Sequence, residues 1–155
     1  AISGVQSDIT DLQQAVLAPA CKLVNTSTQS GIQSGVITPM TFGTTLYDTD
    51  GMADLPNNQI VIQTAGIYIV SASVRWSVGS GERIAIIIQV NGNSMGGQAM
   101  TSVSGTNAYS VHAPLLLNVD AVVTGCAFQT SGDSASTSPG WDTPYLAASW
   151  IGSNT

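Results

Sequence analysis

The stretch "GIYIVSASVRWSV" (residues 66–78) alternates with a period of two. Tyr68, Val70, Ala72, Val74, Trp76 and Val78 fall on one face, and Ser71, Ser73, Arg75 and Ser77 on the other. Successive side chains of an extended chain point to opposite sides, so this pattern predicts a long strand with one buried face. Trp76 belongs to that buried face.

The same logic extends to the neighbouring segments. "ERIAIIIQVNGNSM" (residues 82–95) puts Ile84, Ile86, Ile88 and Val90 together, and Asn91-Gly92 supplies the left-handed dihedrals of a tight hairpin turn. "NAYSVHAPLLLNVD" (residues 107–120) aligns Tyr109, Val111, Ala113, Leu115 and Leu117, while "AVVTGCAFQTSG" (residues 121–132) groups Val122, Cys126 and Phe128. "PACKLVNTS", "MTFGTTLY", "NQIVIQ" and "YLAASWIG" supply shorter strands. "SGDSASTSPGWDTP" (residues 131–144) has turn composition and no period, and reads as one exposed loop. Regular strands, polar Gly-rich connections and no helical pattern after residue 18 predict an all-β antiparallel sandwich or barrel.

Before residue 19 the period is different. Ile2, Val5, Ile9, Leu12 and Val16 are spaced three, four, three and four apart, the a and d positions of a coiled-coil heptad. A helix this short is marginal alone in water, so the set is expected to associate with copies of itself, and Pro19 closes it. The alternative is an amphipathic helix lying on its own domain. Residues 1–18 therefore read as the C-terminal end of a longer coiled-coil stalk and residues 19–155 as the head. The chain starts at Ala1 rather than Met, so sequence upstream of it is expected.

Composition narrows the function classes. Charged residues make up 8% of the 155 residues, against roughly 25% in an ordinary domain, so the surface must be polar yet mostly uncharged. A net charge of −6, with Lys22, Arg75 and Arg83 the only cations, leaves no footprint for nucleic acid or anionic membranes. No apolar run approaches the roughly 20 residues needed to insert into a bilayer as a helix. Cys21 and Cys126 lie in alternating apolar stretches and read as buried free thiols, with a single bridge as the alternative.

Few residues suggest chemistry. "YDTDGMADLPNN" (residues 47–58) clusters Asp48, Asp50 and Asp54, but glycine arrives too early for a calcium loop and Gln59 stands where a bidentate Glu is needed. Asx-turn bonding is the simpler reading, with Asp48 and Asp50 the weak candidates for a metal. His112 is the only histidine, which excludes a multi-imidazole site within one chain, and no nucleophile elbow accompanies it. No catalytic residue and no cofactor are expected. Trp141, with its neighbour Asp142, is the candidate for ligand contact, because an aromatic in a polar loop suits stacking on a sugar.

Taken in order, several of these segments resemble the trimeric jelly-roll family of the complement-subcomponent-q globular head and tumour necrosis factor, in the form found in bacteriophage fibre and tail proteins. "CKLVNTSTQSGI" is similar to its first strand, "FGTTLYDTDGMAD" to its second strand and turn, and "TAGIYIVSASVRWS" to its Gly-x-Tyr strand opening at Gly66 and Tyr68. "IIIQVNG", "LLLNVDAVVTGCAFQTSG" and "YLAASWIG" follow in the family's order. Heptads replace the collagen repeats of the animal members, and "ASWIG" replaces their Phe-rich final strand. The resemblance implies a homotrimeric virion fibre or spike on the particle's exterior, bound to other virion proteins through its stalk and to a bacterial surface glycan or protein through its head. A decoration fibre without a receptor, and a microbial surface or spore-coat protein, are the alternatives.

Overall fold

The computed structural model describes Ile2 and residues 17–154. The expected stalk lies outside the described residues except for Ile2, whose side chain is exposed, and for Leu17 and Ala18, which are exposed and in neither helix nor strand.

The long alternating segment forms β7 (Gly66–Val78), the strand to which most of the fold is tied. Along one edge it pairs over its whole length with β10 (Gly105–Leu117). Its other edge is shared. β13 (Tyr145–Gly152) pairs with its first half, and β12 (Ala135–Thr137) pairs at Trp76 and Ser77. β13 leads on to β1 (Ala20–Val24) and β4 (Thr44–Asp48), and β12 leads to β2 (Gln29–Ile32). All these pairings are antiparallel.

The second sheet has the order β5 (Ala53–Asp54), β6 (Gln59–Val61), β11 (Val122–Gln129), β8 (Arg83–Val90) and β9 (Asn93–Thr101). Beside β6, β3 (Thr38–Pro39) also pairs with β11. From β6 onward the chain crosses between sheets at each connection except the β8–β9 hairpin and the link from β12 to β13. This gives the expected jelly-roll sandwich. The hairpin turn is Asn91-Gly92, both at positive φ (50° and 78°), as a two-residue turn between right-twisted strands requires.

The core lies between the sheets. Tyr68, Val70, Ala72, Val74 and Trp76 of β7 face Ile84, Ile86 and Ile88 of β8, all fully or almost fully buried. Each large aliphatic side chain removed from water here contributes about 1.5–3 kcal/mol. Cys21 and Cys126 are both buried and free. Burial, then the nearby Asp48 charge, pushes the Cys21 thiol up to about 12, and burial also raises Cys126, so both remain thiols at neutral pH.

Two expectations require correction. In β11 the residues facing the core are Val123, Gly125, Ala127 and Gln129, whereas Val122 and Phe128 are only half-buried on the other side with Cys126. Both faces of this strand carry apolar residues, so period alone cannot set the phase. Close packing sets it: a side chain at Gly125 would press on Met40, Ala72 and Leu146. Gln129 is tolerated inside because its amide donates to the carbonyls of Ile32 (2.9 Å) and Asp133 (2.8 Å). The second correction concerns residues 131–144, which are not one exposed loop. They contain β12, with Ala135 and Thr137 buried.

The Gly-x-Tyr opening has a packing explanation. A Cβ at Gly66 would collide with the Trp150 indole and lie 2.6 Å from the Gly152 carbonyl oxygen. Two residues on, the Tyr68 hydroxyl donates to the Thr64 carbonyl at 2.6 Å. Gly66→Ala is therefore expected to destabilise the domain by about 1–3 kcal/mol, the range for overpacking. Urea unfolding followed by tryptophan fluorescence would measure it.

Candidate functional site

The outward face of the first sheet is paved with small residues. Antiparallel register places Val24, Tyr145, Ser73 and Ser110 in one cross-strand row and Lys22, Ala147, Ser71 and His112 in the next. Apart from Tyr145, the interior positions of these rows are Ser73, Ser71 and Ala147, which leaves the sheet open to close approach beside the ring. A groove of about 570 Å³ runs over its end, floored by Ser73, Ala108 and Tyr145 and bounded by Leu46 and Trp141. Lys22 Nζ sits 4.2 Å from the Tyr145 ring centroid, a cation–π contact that holds the cation at the groove.

Trp141 is the most exposed large apolar residue described, at 95%. The segment that carries it is held by Arg75. Arg75 Nη1 donates to Ser138 Oγ (2.9 Å) and to the Pro139 carbonyl (3.2 Å), and Arg75 Nε lies 2.8 Å from Asp142 Oδ1. Gly140 lets the guanidinium in, since a Cβ there would stand 2.9 Å from Arg75 Cζ. The two expected ligand residues thus divide the work. Trp141 projects freely, and Asp142 anchors the loop. Sequence reading had no signal for the anchor: an Arg on the polar face of a strand looks solvated, and its partners lie more than sixty positions away.

The acidic stretch is a turn held by its own backbone. Asp48 Oδ1 accepts from the amides of Asp50 (3.3 Å) and Met52 (2.9 Å), and Oδ2 from that of Ala53 (2.9 Å). The bond two residues on is the expected Asx-turn, and Gly51 takes positive φ at 67°. Asp50 is half-buried beside it. Asn57 donates to the Asp54 carboxylate and, against an opposing desolvation and with help from Gln59, holds it below the usual carboxylate range. His112 is exposed on the outward face, with its Nε2 3.4 Å from Ser110 Oγ. Among the described residues no carboxylate orients that imidazole, so the pair lacks the third member of a hydrolytic triad.

The globular domain of zebrafish complement 1qA superposes with a TM-score of 0.62 at 15% identity, covering 88% of this chain and 99% of that one. The Eiger TNF of S. frugiperda gives 0.69 at 10% identity, covering 89% of this chain and 95% of that one. The fold is the complement-1q and tumour-necrosis-factor jelly roll. Murine APRIL agrees, at 0.66 and 12% identity over 86% of this chain and 99% of its own. No family model matches the sequence, and no curated protein matches it. At these identities the jelly roll shares the path of its strands with these domains and little of its surface.

The Arg75 anchor yields a test. Asp142→Asn is expected to cost about 1 kcal/mol, and Arg75→Met about 2 kcal/mol because it strands the carboxylate together with the Ser138 and Pro139 partners. Urea denaturation of both variants would show the order.

Proposed function

We propose that the chain is the homotrimeric head of a bacteriophage fibre or spike, displayed on the outside of the virion and attaching it to the bacterial surface. One observation carries the assembly. β9 ends the second sheet and β10 ends the first, and they stack on the same side of the sandwich, where a Cβ on Gly96 would stand 3.1 Å from that of Ala113. Both outer edges lack a strand partner among the described residues. Yet residues 84–119, which include all of both strands, contain no Asp, Glu, Lys or Arg.

Sheet edges left in water are ordinarily guarded by charge, because unpaired amides and carbonyls invite another chain. This open side is instead lined by Met95, Met100, Val103 and Leu116, all exposed in the single chain. A second copy is the natural cover. The seat on that copy is a different patch, outside the Trp141 groove. Contact between two different patches is heterologous and must close into a ring to avoid a filament, and threefold closure provides that. The heptad set in the sequence would run along the same axis and join the head to the rest of the particle.

Attachment is assigned to the Trp141 end of the groove. An exposed indole beside Tyr145, Lys22 and serine hydroxyls has the aromatic platform and polar rim that a sugar ring requires. The chemistry of the groove is that of binding.

Two experiments test this. Met100→Asp combined with Leu116→Asp would bury unpaired carboxylates costing about 3–5 kcal/mol each, so light scattering should report folded monomers at micromolar concentration; a mass unchanged from the unsubstituted protein removes the open side from the interface. On an array of bacterial surface polysaccharides, the unsubstituted protein should be retained on particular glycans and Trp141→Ala should bind them about tenfold more weakly. Retention on no glycan would leave a decoration fibre.

A further inference from the structure

Residues 84–88 of β8 are apolar without interruption, although one face of the strand alone meets the core. Ile84, Ile86 and Ile88 enter that core, while Ala85 and Ile87 point away from it. On this outer side the register sets Phe128 and Ala99 on either flank of Ala85, and Cys126 and Gly97 on either flank of Ile87. Strands with two apolar faces are characteristically covered on both. Ile37, from the segment before β3, covers part of this outer patch. A shallow cavity of about 360 Å³ is left over Ala85, Ile87 and Phe128, opened on the β9 side by the missing side chain of Gly97.

Arg83 stands at the end of that cavity. The other two cations already have partners, Arg75 with Asp142 and Lys22 with the Tyr145 ring. The Arg83 guanidinium has neither an acidic nor an aromatic partner among the described residues, and no carboxylate lines the cavity. In a chain of net charge −6, an unmatched guanidinium at the mouth of an apolar cavity is a local reversal of sign. It complements an anion that carries an apolar body.

We propose that this cavity binds a small aliphatic carboxylate of the medium-chain fatty acid class. The hydrocarbon chain lies against Ile37, Ile87 and Phe128, and the carboxylate pairs with the Arg83 guanidinium, whose planar fork matches it in a bidentate fashion. The volume falls at the small end of the ordinary range for ligand pockets, about 300–1,000 Å³, which suits one short chain. The site is on the opposite sheet from the Trp141 groove, so neither depends on the other.

Titration calorimetry of the assembled protein with decanoate, kept below its micelle concentration, tests the assignment. Saturable binding at one site per chain is expected. Arg83→Gln should weaken decanoate by at least about tenfold, the worth of a charge-assisted hydrogen bond, and leave 1-decanol within about twofold, since the alcohol carries no charge for Arg83 to match. Ala99→Leu, an exposed position that circular dichroism should show to be harmless to the fold, fills the cavity and should weaken both. Absence of saturable binding, decanoate affinity unchanged by Arg83→Gln, or equal loss of decanoate and decanol in that variant would each overturn the proposal.

Discussion

The two-residue period of β7 is the constraint on which the rest of the structure depends. Thirteen residues long, it sends Tyr68, Val70, Ala72, Val74 and Trp76 into the space between the sheets and turns Ser71, Ser73 and Ser77 to the outward face, where Ser73 is covered beside Thr143 and Tyr145. A one-residue slip would exchange these sets, placing serines in the core and the large aromatics in water. Register is therefore fixed by burial, and β10, β13 and β12 inherit it through their pairing with β7. The same alternation builds both the core and the flat outer face that carries the groove. A fold of this kind determines its surface while it determines its interior.

What the sandwich leaves uncovered follows from the same arrangement. β7 sits between β10 and the β13–β12 pair, so the first sheet must end at β10, and the hairpin after β8 makes β9 the end of the second. The two ends stack, and neither carries a charge to keep other chains away. A protein selected to work alone would guard such a side. Covering it with a further copy would satisfy the backbone groups and bury the exposed methionines, valine and leucine in one step. The low charge of the whole chain then has a reason, since surfaces that meet in an assembly lose stability for every unpaired ion they bury.

Legibility in the sequence tracked the size of the periodic signal. β7, β8 and β10 are long and alternate cleanly, and the Asn91-Gly92 turn between β8 and β9 has dedicated chemistry, so each could be read directly. β9 could not, because "NSMGGQAMT" has two glycines and no alternation; its position is set by pairing with β8 rather than by its own propensity. β12 was lost within a segment of turn residues, where three residues held between β2 and β7 leave no mark on composition. The phase of β11 is ambiguous in the sequence because both of its faces are apolar. At the candidate site Trp141 was legible as an aromatic out of place, whereas Arg75, which holds it up, was hidden by sequence distance. Asp142 lines the groove beside Trp141, and its pairing with Arg75 has no mark in the sequence.

Sedimentation equilibrium of the intact chain at several concentrations addresses the covered open side most directly. Assembly through the β9–β10 side predicts a mass three times the 15.9 kDa protomer, unchanged on dilution. A mass of 15.9 kDa at every concentration would mean that an uncharged, unpaired pair of edges persists in water, and the account of this surface would be contradicted.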